Sequence, residues 1–288
     1  MPERVDPHTA VTRELLVRYL DAWTPAVLRS PRGATYVEAG SADFAASALR
    51  VFGEFADRLA GHSLDVVLLC TGALREPDIP PGLSLRSVDD PADLTVAGPV
   101  LAHLDVLAGT LDEPAVWRLV TALGPGRARE VLVTLPPATT AEVAGHRTRL
   151  REAGLPCAVT VELADDAGHT QLLLFATDSD KHLTTFKNEL WAADEFAGIR
   201  YRDPHDPEHT MIDISLNPQL LPLRRVLLDE LARRGTRTVA DLQRHTLHET
   251  IYRPTDTIDV LTVAATAGAI TREPPKGRMS PRTVVRKP

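Results

Sequence analysis

Glu38, Gly40 and Ser41 lie in the stretch ATYVEAGSADF, where an apolar strand-like run gives way to a helical pattern. In an α/β protein the first strand–loop–helix is where a nucleotide-like cofactor sits. Glycines there let the backbone approach the ligand, and an acid holds a ribose hydroxyl. The acid and one glycine are present, but Ala42 and Phe44 occupy the places where further glycines would help. Asp105 ends another apolar run, VLAHLD, and is the candidate catalytic orienter or base. Asp89 and Asp90 follow the run LSLRSV and could reach an adenine amino group, although adjacent loop acids are commonly just solvated. Glu38, Gly40, Ser41, Asp89, Asp90 and Asp105 thus outline a cofactor pocket at the carboxyl ends of strands. The alternative is a turn glycine and solvated acids on an inherited fold, and the depleted loop favours that alternative over tight binding.

Other chemistry-bearing residues carry weaker signals. His205 and His209 have metal-like spacing, but Pro204 and Pro207 deny them the helix face on which such pairs sit. His245, His248 and Glu249 cluster at an expected helix end. Neither group is assigned a metal. Cys70 ends a strand-like run with no histidine placed by sequence to activate it. Gly124-Pro125-Gly126-Arg127 lacks the lysine and serine of a phosphate loop and precedes a strand rather than following one. Ser41 is not in a Gly-x-Ser-x-Gly elbow.

The elements that must position these residues follow from periodicity. Residues 11–29 carry Leu15, Leu16, Tyr19, Leu20, Trp23 and Val27 at helical spacing. Strands are expected at 34–38, 64–70, 83–88, 99–105 and 130–135, alternating with helices at 42–60, 112–123 and 141–153. Residues 156–163 and 170–176 read as a hairpin about Asp165-Asp166-Ala167-Gly168. An amphipathic stretch at 178–194 precedes a charged loop, FAGIRYRDPHDPEHT. From Pro218 the spacing gives helices at 220–234, 238–245 (opened by a Thr238–Asp241 capping-box pattern) and 255–267. Two short strands, 269–272 and 282–286, flank Pro275-Lys276-Gly277. Three short helices and a two-stranded basic wing describe a winged helix-turn-helix.

Charge divides the chain similarly. Residues 218–288 hold 13 Lys and Arg against 7 Asp and Glu, whereas the rest holds 19 against 32. Such a split suggests two modules with different partners. With 43% hydrophobic and 25% charged residues the chain reads as an ordinary soluble globular protein. The polar N-terminal stretch does not read as a signal peptide, no apolar run reaches membrane-spanning length, and two lone cysteines build no disulfide framework. The cytoplasm is the expected compartment. Scarce lysine and abundant arginine and alanine suggest a GC-rich bacterial genome.

Five strands alternating with helices and closed by an antiparallel pair match the seven-stranded sheet of class I S-adenosylmethionine-dependent methyltransferases. Alternation alone would give only a doubly wound α/β sheet. More specifically, the chain resembles the three-Cys-motif partner protein family. The resemblance is carried by Asp6-Pro7-His8-Thr9 with Leu15 to Trp23, by Tyr36-Val37-Glu38, by Phe186-Lys187-Asn188-Glu189-Leu190-Trp191-Ala192 and by Tyr201-Arg202-Asp203-Pro204. It implies a class I methyltransferase-like fold with a helical or winged-helix tail, and S-adenosylmethionine as the cofactor.

The departures bear on function. The family's glycine-rich stretch after the first strand is reduced here to Glu38-Ala39-Gly40-Ser41-Ala42-Asp43. Its aspartate-proline-aromatic-glycine after the fourth strand survives only as Asp105 and Gly109, and Cys70-Thr71-Gly72 stands where a ribose-binding acid is expected. The expectation is therefore a Rossmann-like methyltransferase domain over 1–216 and a winged-helix module over 217–288. The expected function is non-catalytic or regulatory, acting through protein or nucleic-acid contacts, with S-adenosylmethionine either still the cofactor or lost. The alternative is an active methyltransferase of unknown acceptor using Asp105. In the tail, Arg272, Lys276, Arg278 and Arg282 are the candidate contacts to a protein partner or, nonspecifically, to nucleic acid. Helix 255–267 has no Arg or Lys with which to read bases. A homodimer is the default by base rate.

Overall fold

A computed structural model describes residues 6–30, 33–59, 61–69, 79, 82–123, 126, 128–194 and 198–288. Cys70 to Gly72, and most of the Gly124–Arg127 turn, lie outside the described residues.

The first helix, α1 (Pro7–Val27), begins where Asp6 accepts the Thr9 amide and Pro7 presets the first turn. The Asp6-Pro7-His8-Thr9 motif is thus a helix cap. Strand β1 (Ala34–Ala39) is buried at every position and feeds α2 (Ala42–Glu54). The helix expected to run to residue 60 breaks at Phe55 and resumes as the short α3 (Ala56–Leu59). Then follow β2 (Leu64–Leu69), β3 (Leu83–Val88), β4 (Val100–Asp105), α4 (Glu113–Ala122), β5 (Arg129–Leu135) and α5 (Thr140–Glu152). The hairpin is β6 (Cys157–Ala164) and β7 (Thr170–Thr177), followed by α6 (Asp180–Leu190).

Strands β1 to β5 are parallel, and β7 enters antiparallel between β5 and β6. The order β3-β2-β1-β4-β5-β7-β6 reverses direction between β1 and β4. The sheet does not stop at seven strands. The segment expected to be a charged loop contributes β8 (Arg200–Arg202), which pairs with β6, and beyond it β9 (Ile212–Asp213). The short apolar pattern around Tyr201 was hidden among turn-forming residues. It is the sheet edge offered by β6 that makes it a strand.

The C-terminal part comprises α7 (Leu221–Arg234), β10 (Arg237–Thr238), α8 (Val239–Glu249), α9 (Asp256–Thr266), β11 (Thr271–Glu273) and β12 (Val284–Arg286). Thr238 and Asp241 form the expected capping box, and α8 runs four residues past the expected end. The expected two-stranded wing is three-stranded, in the order β10-β12-β11 and antiparallel throughout. Its extra strand is only two residues, too short to leave a periodic signal.

The expected boundary at 216/217 falls between β9 and α7, and one apolar cluster crosses it, from Leu15 and Phe186 to Leu227, Tyr252 and Val285. The junction is fastened by the very motifs that carry the family resemblance. Lys187, fully buried on α6, donates to the carbonyls of Thr246 (3.1 Å), Leu247 (2.7 Å), Thr250 (2.5 Å) and Tyr252 (2.9 Å). These carbonyls belong to the last turn of α8 and the residues after it, where a helix leaves its acceptors unpaired. Trp191 donates to Ile251 O (3.0 Å) and stacks on Tyr252. Asp203 accepts the Ile251 amide (3.2 Å).

Burial draws the Lys187 ammonium down to about 7 from the ordinary 10.5, with Asp203 opposing the shift. Between those values the unfolded chain binds more protons than the folded one. This group's contribution to stability therefore rises with pH across that window and is lost as pH falls through 7. Lys187→Met would take this donor from the carbonyls of Leu247, Thr250 and Tyr252, while Thr246 O keeps the Thr250 hydroxyl, at a cost on the order of 3 kcal/mol. Urea unfolding at pH 7 and pH 9 should show this loss, and a smaller gain with pH in the variant than in the parent protein. Equal midpoints would mean that water replaces the ammonium at the junction.

Candidate functional site

The reversal of strand order places a crevice at the carboxyl ends of β1 and β4, the place where open α/β sheets bind ligands. A cleft of about 320 Å³ lies there, lined by Asp6, Thr9, Thr12, Ser41, Phe44, Asp105, Leu107, Ala108, Thr134 and Gln171. The sheet register brings these residues together. Asp105 stands beside Thr134 on β5, and Ser41 opens α2 one turn beyond β1.

Glu38 does not face the cleft. It is fully buried, with one carboxylate oxygen 2.8 Å from His103 Nδ1 and the other bonded to the Tyr36 hydroxyl. Glu38 and His103 are register partners on adjacent parallel strands. Burial would lower the His103 pKa, but the Glu38 charge and hydrogen bond carry it above the ordinary value, and the other ring nitrogen, Nε2, is buried without a partner. The Tyr36 hydroxyl, desolvated and beside the same carboxylate, is held well above its usual range. Phe44 packs its ring on His103, with centroids 4.6 Å apart, and is itself buried. The acid expected to hold a ribose is therefore occupied by protein groups, and Phe44, expected in the loop, stands in the first turn of α2.

Gly40 has a packing role. A Cβ there would stand 2.6 Å from Glu38 Oε1, 3.3 Å from His103 Cε1 and 3.4 Å from Asp105 Cβ. The turn can pass over the buried pair only without a side chain. Ser41 serves as the N-cap residue of α2 through its backbone, and its side chain makes no cap bond. Asp90 caps a short turn by accepting the Ala92 amide, and neither Asp90 nor Asp89 lines the cleft. Asp105 does line it. Burial raises its pKa, while His103 and the amides of Leu107 and Ala108 oppose the rise.

Three polar cleft residues were not singled out from sequence. Thr134 has a buried hydroxyl with no hydrogen-bond partner, and Gln171 donates to Thr12 across the floor (2.8 Å). Their positions depend on strand register and on how α1 lies over the sheet. Among the described residues no Lys, Arg or His lines this cleft. Its carboxylates, hydroxyls and amide suit a neutral or cationic polar group better than an anion.

A larger cavity, about 630 Å³, lies at the junction between α7, α8 and residues 203–206. His205 and His245 line it with Asp203, Asp206, Glu230 and Glu249. Asp203 and Asp206 are occupied by nearby backbone amides, and Glu230 pairs with Arg233. His209 does not line it. In the tail, Lys276, Arg278 and Arg282 are exposed and Arg272 is half-buried in β11. Among the described residues no helix is long and apolar enough to cross a membrane.

The fold is that of a class I methyltransferase. Similar solved structures include EvdMO1 (13% identity, 62% of this chain and 44% of that one, TM-score 0.36). Another is CalO1, a methyltransferase in calicheamicin biosynthesis (16% identity, 59% and 55%, TM-score 0.34). A third is magnesium protoporphyrin IX methyltransferase from Synechocystis PCC 6803 (12% identity, 58% and 84%, TM-score 0.35). The chain thus spans about half the length of the first two. The fold rests on the strand order itself. No family model and no curated protein matches the sequence.

Gly40→Ala should force the turn off the Glu38–His103 pair and cost about 1–3 kcal/mol, as overpacking of a fixed core does. A thermal melt of the purified variant checks this. An unchanged midpoint would show that the pair yields without resistance.

Proposed function

We propose that this protein is a non-catalytic, methyltransferase-like scaffold that acts through contacts made by its C-terminal module. The observation that carries this reading is the state of the first loop. Both oxygens of Glu38 are taken by Tyr36 and His103, and Phe44 packs where a cofactor's approach needs space. The cleft that is left, about 320 Å³, is at the small end for a pocket enclosing a cofactor-sized molecule. Titration calorimetry with S-adenosylmethionine and S-adenosylhomocysteine should give no binding heat up to millimolar ligand. Micromolar binding would overturn the scaffold reading.

On the same reading the chain is a divergent relative of the three-Cys-motif partner proteins, and its C-terminal module is a winged helix. The order of three helices and a three-stranded sheet supports this. The exposed Lys276, Arg278 and Arg282 give the wing a positive surface. Helix α9 offers Thr262, Val263 and Thr266 but no Lys or Arg with which to read bases. Contact with a polyanion through the wing is therefore independent of sequence. Reversing Arg278 and Arg282 to Glu should weaken retention on duplex DNA and lower the salt slope by about 2, roughly 1 per lost phosphate contact. Unaltered retention would assign the wing to a protein partner instead.

One observation favours the alternative, an active methyltransferase. Thr134, which lines the cleft with Asp105, has a buried hydroxyl without a hydrogen-bond partner. A ligand seated there would meet both, and catalysis would consist mainly of positioning an acceptor. Methyl transfer abolished by Asp105→Ala would establish it.

A further inference from the structure

Cys157, Asp180 and His248 are widely separated in sequence, and the fold brings them together where the C-terminal module meets the body. Cys157 is the first residue of β6, Asp180 the first of α6, and His248 sits in the last turn of α8. Cys157 Sγ is 3.3 Å from Asp180 Oδ1, and His248 Nε2 is 3.0 Å from the same oxygen. One ligand atom from each residue lies within 4.8 Å of the others. A thiol, an imidazole nitrogen and a carboxylate oxygen grouped in this way are the mixed soft and borderline donors that select zinc, and the 3.3 and 3.0 Å separations from Asp180 Oδ1 are close to those between ligands of a tetrahedral ion.

We propose that Cys157, Asp180 and His248 form a zinc site that fastens α8 to β6 and α6, with water completing the coordination. None of the three residues lines the cleft at β1 and β4, so the site is independent of the methyltransferase-like reading. The surroundings fit a cation. The three groups bring no positive charge of their own unless His248 is protonated, and the carboxylate of Asp178 acts on the same thiol. Without a metal, burial and Asp180 push the Cys157 thiol up to about 12. A divalent ion reverses that balance: the thiol proton leaves to solvent and the thiolate binds the metal. The edge is also reachable, since the Asp180 side chain is 57% exposed and that of His248 25%. The backbone of His248 is held by Arg147, which donates to its carbonyl (2.6 Å), so the imidazole is presented from a fixed turn.

The test is titration of the full chain, first stripped with a chelator, with cobalt(II) as the spectroscopic probe and then with zinc(II). The expected result is one equivalent of cobalt bound, a thiolate-to-cobalt charge-transfer band, its loss on adding zinc, and a raised melting temperature with zinc. Cys157→Ser should abolish the band. Asp180→Asn, a change at an exposed position that leaves the core intact, should abolish stoichiometric binding at micromolar protein. Absence of a thiolate band in the parent protein would overturn the proposal. So would metal binding that survives both substitutions, because the ion would then sit elsewhere.

Discussion

The arrangement of the whole chain depends on a buried ammonium. Lys187 lies on the inward face of α6, with four carbonyls from the end of α8 and the following turn around it. An isolated ammonium in a core is very costly, and the end of a helix is one of few places that supplies enough acceptors to hold it. That requirement fixes where α8 must end and which face it turns to the body. Trp191 and Asp203 bond the same turn from two other directions, so its position is set three times over.

A second buried polar group lies within the sheet, on β1 and β4. The Tyr36–Glu38–His103 cluster lies under the first loop and uses the acid that a cofactor would need. It also gives Gly40 its role, since a Cβ there would meet the Glu38 carboxylate. Gly40 clears the cluster, whereas Ala42 and Phe44 stand where only a ligand would require open backbone. The two regions therefore differ in character: one has a small cleft lined by Phe44 and Asp105, the other a junction rich in ligating groups.

Residues that resemble a family need not mark its chemistry. Asp6 to Thr9 cap α1, Tyr36 to Glu38 build a buried cluster, and the Lys187 and Asp203 motifs hold two parts of the chain together. Each has a structural task that short polar motifs can perform without any substrate. This explains why fold followed readily from them and a reaction did not.

The sequence by itself determined the strand and helix alternation, the closing hairpin, the capping box at Thr238 and the helix start at Ala42, because each rests on local periodicity or on a capping residue. It also contained an unread sign: Lys187 falls on the same helical face as Leu183 and Leu190, where a charge must find partners. Only the tertiary structure decided the rest. Strand register set Glu38 beside His103 and Asp105 beside Thr134, and pairing with β6 made a strand of Arg200–Arg202. Packing of α8 on α6 drew Cys157, Asp180 and His248 together. Contacts between residues far apart in the chain leave no period in the sequence, so they become visible only when the backbone closes on itself.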